Sequence, residues 1–124
     1  MERPEDIRDR FVPNFSFGCE ADDPMTSTAF DTTRNPHGAR LRAVLGSDIG
    51  HWDVPDMRQV LAEAYEAVER GWLTETDFRD FTFTNPVRLY TDTNPNFFAG
   101  TVVEQAARAS ISDPAPTATE RTPR

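Results

Sequence analysis

The chain is poor in the residues from which disulfides and most zinc sites are built. It has one cysteine, Cys19, and two histidines, His37 and His51, in 124 residues. A single cysteine forms no internal disulfide, and no cysteine-rich metal motif can be written from it. Long apolar runs are also missing. None approaches the ~18 residues that a membrane-spanning helix needs, so no membrane partner is expected. The first ten residues, MERPEDIRDR, are charged and lack an apolar centre, so they do not read as a secretory signal. Positive charge falls short of negative: 13 Lys and Arg against 21 Asp and Glu leave a net charge of -8. A nucleic-acid surface is normally basic, so that class of partner is excluded. With neither a signal nor paired cysteines, the expected setting is the reducing cytoplasm.

What is there is ordinary for one small globular domain: 37% hydrophobic and 27% charged residues. Residues 4-PEDIRDRF-11 read as a short helix that Pro13 ends. In 14-NFSFGC-19, Phe15 and Phe17 alternate with small or polar neighbours, as in a strand. The run 20-EADDPM-25 is a loop that opens a short helix through Phe30. Asn-Pro and Gly in 31-DTTRNPHG-38 are turn chemistry. A second strand, 41-LRAVL-45, stops at Gly46. A helix then starts near Asp53 and Pro55, with Met57, Val60, Leu61, Ala64, Tyr65 and Val68 on one face and Gly71 as its cap. Thr74 starts another helix, with Asp77 as its box partner. Trp72, Phe78, Phe81 and Phe83 read as core. Asn85-Pro86 restarts the chain as a short helix through Tyr90, and Phe97, Phe98, Val102 and Val103 are expected to pack. From residue 109 the composition predicts a disordered tail to 124. No internal repeat is visible.

Strands separated by polar connections and helices predict a parallel α/β sheet. Two strands are fewer than a sheet normally needs to stand alone. In such folds, ligands sit beyond the carboxyl ends of strands, and both strands here end in carboxylates. Glu20, Asp22 and Asp23 follow the first, and Asp48, His51 and Asp53 follow the second. Asp48 is the candidate for chemistry: a carboxylate there can hold a divalent metal and take a proton from its water. Spacing alone leaves a second role open, in which Asp48 closes a turn through backbone N–H groups. Asp53 reads as a helix cap rather than a ligand, and Asp22 and Asp23 as helix starters. His51 can orient a water, bind a metal or only make a structural hydrogen bond. His37 reads as a solvated loop residue and Cys19 as a small buried apolar one.

The stretch 44-VLGSDIGHWD-53 resembles the eighth-strand signature of the amidohydrolase-related metal-dependent hydrolases. These are (β/α)₈ TIM barrels that include aminocarboxymuconate-semialdehyde decarboxylase-like enzymes. The run 85-NPVRLY-90 is similar to the family's closing N-A-x-R-L-[FY] helix, and 14-NFSFGCEADDP-24 looks like its seventh strand and loop. The resemblance covers roughly Phe11 to Tyr90. It implies a helix-rich α/β fold, the C-terminal fragment of a TIM barrel: the last two strands plus C-terminal helices, over residues 1–108. It implies that Asp48 is metal ligand and catalytic base and that Asn85 and Arg88 are structural; for Glu20 and His51 it gives no uniform role, and both are candidates for the pocket wall or for supporting the ligands. The cofactor implied is a divalent metal, zinc or manganese, in the complete protein. The substrate is a small molecule, and hydrolysis and decarboxylation stay open because the same aspartate serves both.

The family's His-x-His pair and middle-strand histidines are absent. One aspartate and one histidine fall short of the three protein ligands usual for catalytic zinc. The expectation is therefore a chain that is inactive alone and binds no metal by itself, needing a complementing N-terminal chain or a homo-oligomer. The competing expectation is a non-catalytic module, relic or split-enzyme subunit that docks through its helix face or strand edges.

Overall fold

The computed structural model describes residues 3–112. Within them the chain is α/β and helix-rich, with five α-helices and a two-stranded sheet. Helix α1 spans Glu5–Phe11, with acids in its first turn and arginines in its last, the order that complements the helix dipole. A single 3₁₀ turn, Val12–Asn14, carries Pro13 and leads into strand β1, Ser16–Cys19. A long connection then holds 3₁₀ turns at Pro24–Phe30 and Pro36–Gly38 before strand β2, Arg42–Leu45. Asp23 caps the first of these turns by accepting the Met25 N–H at 2.8 Å, the role its place before Pro24 predicts.

The strands pair in parallel, from Ser16 with Arg42 to Cys19 with Leu45. Gly46 N–H extends the ladder to the Cys19 carbonyl at 2.8 Å. Parallel direction has one consequence for function: the loops that begin at Glu20 and at Gly46 leave the same end of the sheet.

Helix α2 runs Val60–Glu69, so it starts well after Asp53 and Pro55. Residues 53–59 are turns instead, held where the Asp56 carboxylate accepts the Arg58 N–H and chelates its guanidinium. The later start moves the buried stripe to Val60 and Ala64, with Ala67 and Val68 beside the core. Met57, Leu61 and Tyr65 of the expected stripe are exposed. Gly71 does end the helix: at φ +71 it turns the chain so that the Trp72 and Leu73 N–H groups reach the Ala67 carbonyl.

Helix α3, Glu75–Arg79, opens on the expected capping box, in which Thr74 and Asp77 each satisfy the other's backbone N–H. Asn85-Pro86 does not restart the chain. A π turn, Asp80–Thr84, carries α3 directly into α4, Asn85–Thr91. Pro86 offers no N–H and its ring crowds the preceding turn, which a wider π turn accommodates. Phe97 and Phe98 pack on Tyr90, at 4.5 and 6.4 Å between ring centres, while Val102 is fully exposed. Helix α5, Glu104–Ser112, includes the first residues of the expected tail. The rest of that tail, 113–124, lies outside the described residues.

The core sits where the sheet meets the helices: Ala29, Phe30, Ala43, Ala64, Leu73 and Phe81, with Phe30 edge-on to Phe81 at 6.5 Å. Phe78 packs against it, but Trp72 does not belong to it. Trp72 is 46% exposed and lies under the Arg70 guanidinium, because the Gly71 turn swings it outward. Among the described residues, no helix is long and apolar enough to cross a membrane.

Candidate metal centre

The loop after β2 is shaped by one unusual backbone angle. Asp48 has φ +51, in the left-handed region that few residues other than glycine adopt. Aspartate tolerates it better than most. The reversal lets the His51 N–H reach the Asp48 carbonyl at 3.0 Å. It also brings the two side chains together: His51 Nδ1 lies 2.7 Å from Asp48 Oδ2. Among the described residues, the Asp48 carboxylate accepts no backbone N–H; its contact is the imidazole. The turn itself is closed by backbone groups, and the Ile49 N–H lies 3.4 Å from the Ser47 hydroxyl.

Asp53 joins this pair. One ligand atom from each of Asp48, His51 and Asp53 lies within 4.8 Å of the others. Donors on one zinc at 2.0–2.2 Å are at most about 4.4 Å apart. Closing the widest pair therefore needs at least about 0.4 Å of movement, from partly exposed side chains. His51 is 65% exposed at its side chain and Asp48 30%. One imidazole and two carboxylates form a donor set suited to zinc or manganese. Three protein ligands leave a coordination position for water, the arrangement of catalytic rather than structural zinc.

Asp53 is the residue that sequence reasoning missed. Its place before Val54 and Pro55 looks like a helix cap. Because α2 starts only at Val60, its carboxylate has no such duty. A signal was present in the spacing: Asp48, His51 and Asp53 sit within six residues around Gly50, itself at φ +105.

Glu20 stands at the same end of the sheet but is exposed and outside this group. Asp22, Asp23 and Asp53 line a cleft of about 300 Å³ with Glu63, Glu66 and Arg70. Arg70 is paired with Glu66 at 2.6 Å, so the cleft is acidic on balance. His37 lies in an exposed turn at φ +56, with Glu5 at 3.8 Å. Burial pushes the Cys19 thiol up, opposing the thiolate and agreeing with an inert packing role. Asn85 Nδ2 donates to the Ala43 carbonyl of β2 at 2.9 Å, which ties the start of α4 to the strand. Comparison with protein-family models, curated proteins and solved structures found no match to this chain.

Proposed function

We propose that the chain carries the metal-binding strand end of an amidohydrolase-like, metal-dependent hydrolase or related decarboxylase. In this reading β1 and β2 correspond to the last two strands of a TIM barrel. The observation that carries it is the convergence of Asp48, His51 and Asp53 within 4.8 Å, directly beyond the carboxyl end of a parallel strand. A bound zinc or manganese ion would supply Lewis acidity and an acidic water. Asp48 would help to hold the cation and would be the group placed to accept a proton. His51 is fixed by its contact with Asp48, which sets the direction of its second ring nitrogen. Asp53 closes the donor set. The small-molecule substrate needs walls that the exposed loop does not provide, so turnover depends on surfaces beyond residues 3–112.

Calorimetric titration of zinc and of manganese into the full chain tests this. One ion per chain is expected, lost in Asp48→Asn and weakened at least tenfold in Asp53→Asn and His51→Ala. A chain that takes up neither ion at millimolar concentration would reduce the group to a surface ion pair.

A second reading is favoured by a separate observation. Among the described residues, Phe30 and Phe81 are buried in the core, while Phe11, Phe15, Trp52, Leu61 and Tyr90 are exposed. A two-stranded parallel sheet with this much apolar surface outside suits a module that docks onto a partner.

A further inference from the structure

Strand β1 has backbone groups that nothing in the chain uses. The Gly46–Cys19 bond and the pairing of Cys19 with Leu45 fix the phase of the ladder. Phe17 and Cys19 turn their N–H and C=O groups toward β2, so Ser16 and Gly18 turn theirs outward. Among the described residues, no hydrogen bond is made by the outward groups of Ser16 or Gly18. Gly18 is exposed, and a Cβ there would meet nothing within 4 Å. The strand, SFGC, carries no charge. Beside it, Phe11 and Phe15 stack at 4.6 Å and stay 41% and 52% exposed. An open, uncharged edge with an apolar flank is a template for another strand.

Charge selects the occupant. Arg10 lies in the last turn of α1, and its carbonyl accepts from the Nδ2 of Asn14, the residue that closes the turn before β1, at 2.6 Å. Glu20 is the residue after the strand. Among the described residues, neither side chain has an ion-pair or hydrogen-bond partner. A strand with a free cation on the helix that leads into it and a free anion at its end complements its own reversed copy.

We propose that β1 pairs antiparallel with β1 of a second copy, about a two-fold axis at Phe17. Ser16 of each copy then lies opposite Gly18 of the other, and each such pair exchanges both N–H···O=C bonds. Every outward group of the strand is used. Phe17 meets its own copy in the narrow pair, where side chains approach most closely. In this register Glu20 of each copy arrives opposite the other's Asn14, whose side chain is bonded to the Arg10 carbonyl. The two-stranded sheets merge into one of four strands, and the contact is isologous. This inference rests on the docking reading and is independent of the metal centre.

Sedimentation equilibrium of the full 14.0 kDa chain, under reducing conditions, tests it together with amide exchange. The expected result is a reversible monomer–dimer equilibrium in the micromolar range, as befits a small interface. The Ser16 and Gly18 amides should become protected as concentration rises. Gly18→Pro removes an outward N–H, leaves the ladder to β2 intact and should abolish the dimer. If that variant does not fold, charge reversal decides. Glu20→Arg or Arg10→Glu alone should weaken association about tenfold, and the double variant should restore it. A monomer at every concentration, with both amides exchanging freely, would overturn the proposal. So would a dimer indifferent to Gly18→Pro and to charge reversal, or an edge that binds only a strand from a different chain. Asp48→Asn, which tests the metal centre, should leave the dimer unchanged.

Discussion

Arg40 joins the two halves of the fold, and removing it should cost about 3 kcal/mol. Its guanidinium reaches Asp77 with one nitrogen, at 2.5 Å, and Asp80 with another, at 2.7 Å. The carboxylates are only 5% and 13% exposed, and Arg40 itself 25%. The same group lies 4.6 Å over the Phe30 ring. Breaking a buried pair by deleting one partner typically costs about 3–5 kcal/mol, because the other charge is left uncompensated. Two features lower the figure here: Arg40 is partly wet, and Asp77 keeps its bonds to the Thr74 hydroxyl and N–H at 2.6 and 3.0 Å. For a domain whose whole stability is about 5–15 kcal/mol, such a loss is large. The midpoint of thermal unfolding should fall by roughly 10–20 °C in Arg40→Ala. Urea unfolding followed by circular dichroism measures it, and Arg40→Met separates the charge from the packing on Phe30. The pH dependence gives an independent check. Burial alone raises the Asp77 carboxyl, but the Thr74 bonds and Arg40 outweigh it, so the carboxyl sits below its ordinary value. A depressed carboxyl stabilises fully above its unfolded value of about 3.9, and the contribution disappears as pH falls through the folded value. The gap between wild type and Arg40→Ala should therefore narrow as pH falls below about 4 and close only below the lowered folded value. A cost under about 1 kcal/mol at neutral pH, or a gap that persists in acid, would refute the assignment.

Two further outcomes follow from local geometry. Thr74→Ala removes the acceptor for the Asp77 N–H at the start of α3 and should cost about 1 kcal/mol in urea unfolding, with helix content otherwise kept. Gly71→Ala forces a Cβ into the left-handed turn at φ +71, where space is open but the backbone is strained. It should cost about 1 kcal/mol, and Gly71→Asn should recover part of that loss because asparagine tolerates the conformation better.

Local chemistry was legible in the sequence wherever neighbouring residues decide it. Both strands lie where alternation and the Gly46 stop place them. The Thr74–Asp77 box, the Gly71 cap and the Asp23 cap all form, because each needs only contacts a few residues apart. The shared end of the two strands was also readable, since polar connections between short apolar strands favour parallel pairing. Decisions that depend on distant partners were not. Asp53 has the sequence of a cap, yet the helix begins at Val60, where burial of Val60 and Ala64 against the sheet outweighs local capping preference. Trp72 has the composition of core, and the direction of one glycine turn puts it outside. Pro86 reads as a break, and a π turn absorbs it. The Arg40–Asp77–Asp80 bridge spans about forty positions and has no local signature. By itself the sequence determined which residues would carry carboxylate and imidazole chemistry beyond the strands, because composition and spacing set that. Only the tertiary structure decided that Asp48, His51 and Asp53 converge, because the convergence depends on one left-handed backbone angle and on a helix that starts late.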